Sequence, residues 1–495
     1  MALHWATSFQ YGIFRDELYY IEWSKRLAWG YVEQPPFIAF AIFLVRHVLG
    51  DSPFGLRFLP SLTGAAVVIL TGLMAREMGG RRFAQILAAF CTAAGPIFLA
   101  LHSMMTIDPF NQLFMIACLY ILVRFFRTHD ARLWLLFGLV AGVGLMNKLS
   151  MPFFGVGVVV ALLLTGERRV FLHKEVWLGG LIAFLIFLPF LIWLAANQWA
   201  TIEFMRNYGS GGKTWQSGFF EYLYMHVLTV NPLTAPIWLG GLYFLFRSSE
   251  GKPFRAIGVL FVVLYAMFFV LKAKFYFLSP MFTPLFAAGA VISERWLEAP
   301  ERRKSLKPGY AAALIISGVI LAPLAIPILP VQTLVKVLAP LGGTAGIKTE
   351  QLEETELPQH FADRFGWPEM VQRVADIYQT LSPEERSKCA IFASNYGEAA
   401  AIDFYGPGHG LPNALSGHGA YYLWGPGQFT GEVVIAILPE SDATKLHEIF
   451  REVIPKGRND VSPYAMPHER NKRFFLCRGI TVPLKDVWPS LKRYG

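Results

Sequence analysis

Charge is scarce in this sequence: 16% of its 495 residues are Asp, Glu, Lys or Arg, against 54% hydrophobic and 15% aromatic. That balance excludes an ordinary soluble enzyme and reads as a multi-pass membrane protein. Cysteine is scarcer still, with four in the chain. Cys91 and Cys118 fall inside apolar runs as packing residues, and the four are not spaced as a zinc motif. Cys389 and Cys477 fall on predicted strands, where an oxidising compartment permits a disulfide. No nucleotide-binding glycine fingerprint opens a helix after a strand, since Gly406-Pro407-Gly408-His409-Gly410 reads as a turn-rich loop. Long repeats and low-complexity tracts are missing too.

What the chain has in abundance is bilayer-length apolar sequence. Windows recur near 56–75, 83–101, 109–127, 131–147, 149–165, 176–196, 231–246, 256–272, 275–293 and 310–330, which predicts about ten spans across 56–330. The net charge of +9 sits in short loops between these runs, a pattern of membrane topology rather than of nucleic-acid binding. Five loops hold seventeen basic residues: Arg76, Arg81 and Arg82; Arg124, Arg127 and Arg132; Arg168, Arg169 and Lys174; Arg247, Lys252 and Arg255; Arg295, Arg302, Arg303, Lys304 and Lys307. The intervening loops hold five: Lys148, Arg206, Lys213, Lys272 and Lys274. The richer set is expected on the cytoplasmic side of an inner or plasma membrane, which puts residues 1–55 and 331–495 outside. Met1 to Phe14 has no apolar run able to span, so an outer N-terminal segment carries the expectation of a further apolar helix upstream.

Residues 17–50 read as juxtamembrane. Tyr20, Trp23, Leu27 and Tyr31 share a helical face, as in a helix lying in the interface, and after Pro35-Pro36 the stretch Phe37 to Leu49 suits a second short helix. Beyond residue 331 the composition turns polar. Trp367 to Leu381 and Thr444 to Val453 read as helices, and Cys389 to Ser394, Glu432 to Leu438 and Phe474 to Cys477 as strands, giving an extracytoplasmic α/β domain.

Two outer loops carry acids. The first is Phe14-Arg15-Asp16-Glu17-Leu18-Tyr19-Tyr20, the second His102-Ser103-Met104-Met105-Thr106-Ile107-Asp108-Pro109. Acids beside a bilayer are costly unless solvated or paired, which marks both loops as candidate sites, although Asp108 before Pro109 also suits a helix cap.

These motifs carry a resemblance. Asp16-Glu17-x-Tyr19-Tyr20 with Gly30-Tyr31-x-x-Gln34-Pro35-Pro36, His102-x-x-x-Thr106-x-Asp108 and Lys274-Phe275-Tyr276-Phe277-Leu278-Ser279-Pro280 resemble the outer-loop segments of glycosyltransferase family 39 and its bacterial relatives, the dolichyl-phosphate-mannose protein mannosyltransferases and lipid A aminoarabinose transferases. The resemblance covers residues 10–330. It implies a membrane protein of GT-C type with a C-terminal α/β domain, a polyprenyl-phosphate sugar as donor, a protein, lipid or polysaccharide as acceptor, and Asp16 as the acid of the first loop. The family has a transmembrane helix before that loop.

The chemistry suits these residues. An acceptor hydroxyl becomes a useful nucleophile when a carboxylate takes its proton, and a polyprenyl phosphate leaves when cations stabilise it. Asp16 is the expected base, and direct displacement inverts the anomeric centre. Glu17 and Asp108 are expected to orient it, bind acceptor or hold a divalent cation. Arg57, Lys272, Lys274 and Tyr276 are candidates for the donor phosphate, with snorkelling to the interface as the alternative for the cations. His102 and Tyr20 are candidate acceptor or supporting residues. Other classes stay open: a transporter or flippase, though no paired broken helices recur in matching halves, and a membrane-anchored glycan-binding or assembly protein. For the latter, Asn395-Tyr396-Gly397-Glu398, Asp403 and Tyr421-Tyr422-Leu423-Trp424 are candidates, with a strand-to-helix turn and core aromatics as the alternative.

Overall fold

The computed structural model describes residues 1–210, 218–298, 306–341, 355–460 and 462–495. Arg302, Arg303, Lys304 and Lys213 from the loop comparison lie outside the described residues.

Length decides which apolar runs can cross. Helices Pro53–Glu77, Ile107–Thr128 and Lys174–Ala196, and the helical stretches Lys252–Val270, Phe275–Glu298 and Leu306–Leu324, are long and apolar enough. A seventh crossing is available if Phe219–Thr229 and Pro232–Arg247, bent by 95°, count as one. That bend has a local cause. Asn231 takes a positive φ of 78°, its side chain accepts the Leu233 N–H at 3.1 Å, and Pro232 can donate no helical hydrogen bond. The count of ten contracts because three windows fall on the shorter helices Arg82–Ala93, Leu133–Leu145 and Met151–Leu163, below the roughly 20 residues a hydrocarbon core requires. Helices meet closely through glycine: a Cβ on Gly138 or Gly179 would collide with the other helix's backbone, and one on Gly241 or Gly289 would do the same between Ala235–Arg247 and Phe282–Glu298.

The loop sets separate in space. Arg127 pairs with Glu77 at 2.7 Å, Arg81 and Lys307 with Glu298 at 3.6 and 3.4 Å, and Arg295 with Glu250, which gathers four of the basic loops. Asp108 and Arg127 are at opposite ends of one helix, so Asp108 belongs to the other end of the bundle.

The C-terminal region forms a five-stranded sheet of order β2-β1-β3-β5-β4, with β1 at Cys389–Ala393, β2 at Ala414–Leu415, β3 at Val433–Pro439, β4 at Phe450–Arg458 and β5 at Lys472–Ile480. Strand β1 runs parallel to β2 and β3, whereas β5 runs antiparallel to β3 and β4. Alternation sorts the side chains. Ile391, Ile435 and Leu476 belong to a core on one face, while Ala390, Ala436 and Phe475 join Leu446 and Trp488 on the other. The predicted helix from Thr444 to Val453 is corrected here: the helix is Ala443–Ile449, and Phe450 begins β4, whose backbone pairs antiparallel with β5.

The sheet also removes the disulfide expectation. Cys389 is opposite Val433 and Cys477 opposite Val434, so β3 lies between them. Two strand spacings are about 9.6 Å, beyond the ~7 Å limit for a bridge, and the two thiols point to opposite faces. Both are free and buried.

The first loop is a buried layer, which corrects the picture of a helix lying alone in the interface. Helix Arg15–Lys25 ends at Lys25, and Tyr31 folds back so that its ring stacks on Trp23 at 4.1 Å. Leu18, Ile21 and Trp23 are inaccessible and share one core with Ile391, Ala400 and Leu476 of the sheet domain. Helix Phe37–Leu49 forms where expected after the proline pair.

Candidate active site

Glu17 explains how the first loop is fixed. At the third position of helix Arg15–Lys25, its carboxylate accepts the Phe14 N–H at 2.8 Å. It also accepts two hydrogen bonds from Arg57, at 3.1 and 2.8 Å, and one from the Met105 N–H at 2.8 Å. Arg57 donates its remaining bonds to the carbonyls of Ser8 and Gly12. Burial pushes the Glu17 carboxyl up, but the Arg57 charge and these hydrogen bonds outweigh it and hold the carboxyl below its ordinary value. Both side chains are almost wholly buried, and neither lines a cavity that reaches Asp16. Glu17 and Arg57 therefore tie the first loop to the second, and Arg57 is not placed to meet a donor phosphate. His102 is also away from the cavity: it is buried, with Nδ1 2.7 Å from the Phe98 carbonyl, and its ring packs where a side chain on Gly64 would stand.

The neighbouring acid faces the other way. Asp16 is 30% exposed and opens onto a cavity of about 760 Å³ between the helix ends and the sheet domain. Its carboxylate accepts the Tyr396 hydroxyl at 2.9 Å and lies 3.6 Å from the Arg15 guanidinium. Asp108, Tyr20, Lys272, Lys274 and Tyr276 line the same cavity. Asp108 is not the helix cap. Thr106 holds that position, accepting the Asp108 N–H at 3.4 Å, and the Asp108 carboxylate pairs with Lys148. Burial, with repulsion from Lys274, keeps the Lys148 ammonium below the usual lysine value despite Asp108. Its Nζ lies 4.1 Å from the Phe277 ring centre and 5.3 Å from that of Tyr276.

Sequence reading missed Lys148 as a site residue, although a lysine in the short Asn147-Lys148-Leu149-Ser150 hinge between two apolar helices was a usable signal. It also missed Glu33, which lines the cavity and accepts the Tyr19 hydroxyl at 3.0 Å. The sheet domain adds Asn395, His418, Glu469 and Lys472, brought there by topology. Strand β1 leads to β2 on one side and pairs with β3 on the other, and the crevice at the carboxyl ends of such strands is where open α/β sheets place ligands. Asn395 and Tyr396 open the helix after β1, and both face the cavity. Asp403 instead accepts bonds from the Ala414 N–H at 2.6 Å and the Tyr421 hydroxyl at 2.8 Å as a structural group.

Among the described residues, no three His, Cys, Asp or Glu side chains gather as metal ligands. Glu17 is paired with Arg57 and Asp108 with Lys148. The cavity lining joins Lys148, Lys272, Lys274, Phe268, Leu271 and Phe277 of the helical part to Asp16 and Glu33 of the first loop and to Glu469 and Lys472 of the sheet domain.

The fold is similar to that of a solved structure. ArnT from Cupriavidus metallidurans bound to undecaprenyl phosphate matches with a TM-score of 0.63 at 14% identity, over 96% of each chain. The chain has the GT-C fold. The apo form of the same ArnT matches this GT-C chain with a TM-score of 0.59, again over 96% of each chain at 14% identity. Residues 33–193 match the family described as Dolichyl-phosphate-mannose-protein mannosyltransferase, a segment running from the first loop through Asp108 and Lys148. No curated protein matches by sequence.

Proposed function

We propose that this GT-C chain is a membrane glycosyltransferase that moves a sugar from a polyprenyl-phosphate donor to an acceptor hydroxyl at the outer face of the membrane. One observation carries the reading: a single cavity holds an accessible carboxylate, Asp16, and three lysines set among aromatic and aliphatic side chains at the helix ends. An ArnT of the same fold binds undecaprenyl phosphate, which supports that class of donor. The lysines and the apolar wall would receive the donor's phosphate and the start of its prenyl chain. The acceptor oxygen attacks the anomeric carbon, its proton passes to Asp16, and the carbon–oxygen bond to phosphate breaks with its electron pair leaving on the polyprenyl phosphate. Attack opposite the leaving group inverts the anomeric centre. Asp108 acts here through Lys148, fixing one of the cations that meets the phosphate.

The test uses the purified full chain with synthetic undecaprenyl-phosphate mannose, glucose and an aminopentose, and membranes of a deletion strain as acceptor. Release of undecaprenyl phosphate with label appearing on an envelope component is expected, and Asp16→Asn should slow it by roughly 10² or more with membrane insertion intact. Normal turnover by a folded Asp16→Asn variant refutes the assignment.

A further inference from the structure

The hydrogen bond to Asp16 crosses from one part of the molecule to another. Tyr396 is 380 positions away in sequence, on the sheet domain, yet among the described residues its hydroxyl supplies the hydrogen bond that the Asp16 carboxylate receives. We propose that Tyr396 is a positioning residue for Asp16, so that the base is oriented only when the sheet domain is docked on the first loop. This rests on the reading of Asp16 as the base.

Tyr396 is held firmly enough for that role. Its ring stacks on Tyr19 with centroids 4.5 Å apart and planes 22° from parallel, and His418 packs beside it at 5.0 Å. The Arg15 guanidinium lies 5.5 Å from the ring centre on a further side, and a Cβ at Gly397 would strike the Arg15 side chain, so the helix start can approach this closely because residue 397 is glycine. The backbone that carries the ring is fixed as well. Asn395 caps the helix by accepting from the N–H groups of Gly397 and Glu398 at 2.8 and 3.0 Å, and Glu398 reaches back to the N–H groups of Ser394 and Asn395 at 2.8 and 3.3 Å. Lys472 then bridges Glu398 and Glu469, and Asn395 donates to Glu469 at 3.0 Å. A turn over-determined in this way holds its first side chain in one place, which is what orienting a carboxylate at an otherwise open cavity requires.

Two measurements on the full chain test the proposal. Tyr396→Phe keeps the ring stack and removes the hydroxyl. Modification of Asp16 by a water-soluble carbodiimide and an amine, read by peptide mass spectrometry, should then rise about threefold, because one carboxylate oxygen loses its cover. With the undecaprenyl-phosphate donors, kcat should fall about tenfold while KM for donor stays within about twofold, as expected of a lost transition-state orientation. The double variant Asp16→Asn with Tyr396→Phe should be no slower than Asp16→Asn alone. Unchanged labelling of Asp16 overturns the proposal, as does a double variant whose losses multiply. If Asp16→Asn turns over normally the assignment of Asp16 as base fails, and if no donor is used by the wild-type protein the glycosyltransfer reading fails; in both cases the labelling experiment still decides whether Tyr396 holds Asp16.

Discussion

Adjacent acids with opposite environments give the sharpest test of this structure. Glu17 accepts four hydrogen bonds, two of them from a guanidinium that is itself buried. Glu17→Gln removes the charge that offsets Arg57 while leaving Arg57 buried, and breaking one side of such a pair costs about 3–5 kcal/mol. Asp16 loses far less on becoming Asn: it is partly solvated and accepts one hydrogen bond, which the amide oxygen can still accept, so the change is within about 1 kcal/mol. In detergent, the unfolding temperature of Glu17→Gln should drop by several degrees and its yield should fall, with turnover per folded molecule close to wild type. Asp16→Asn should show the reverse. Adding Arg57→Met to Glu17→Gln should restore part of the lost stability, since it removes the stranded charge. Equal stability losses for the two acids, or a Glu17→Gln protein that is fully stable yet inactive, would refute this division of labour.

Lys148→Met should weaken donor use and leave Asp108 without its partner, whereas Lys148→Arg should recover part of the activity, as measured by donor KM. Single cysteines placed at Asp108 and Lys274 should react with an impermeant reagent in intact cells while those at Arg81 and Lys252 should not, and labelling of the second pair from outside would reverse the topology. Acid should destabilise the fold through histidines outside the spans that are shielded from water, among them His102 and His360. Burial lowers His102 to about 4 and, with Arg364 adding repulsion, His360 to about 3, from 6.5. Below pH 6.5 the unfolded chain binds protons that these folded sites refuse, so stability falls by about 1.4 kcal/mol per pH unit for each histidine until their folded values are reached. The unfolding temperature measured from pH 7 to 5 checks this, and His360→Gln should flatten the slope.

Composition alone determined that this is a membrane protein, because so many apolar residues have no other solvent, and the loop motifs pointed to the GT-C fold before any helix was placed. Local sequence also determined individual elements. The proline pair starts Phe37–Leu49, and β1 and β3 arise where predicted because apolar residues run continuously between turn signals. Sequence named Asp16, Asp108, Lys274 and Tyr276 as candidates, and the structure brings all four to one cavity. Sequence did not show that Glu17 turns away from the cavity to meet Arg57: one helical step of about 100° directs one carboxylate to the cavity and the other into the core. Nor could it reveal that Arg57 belongs to Glu17, that β3 divides Cys389 from Cys477, or that Tyr396 reaches Asp16. The Glu17 contacts with Arg57 and Met105 join residues 40 and 88 positions apart where the first loop packs on the helical bundle, whereas Tyr396 and Asp16, 380 positions apart, come within hydrogen-bonding distance where the sheet domain packs onto the first loop.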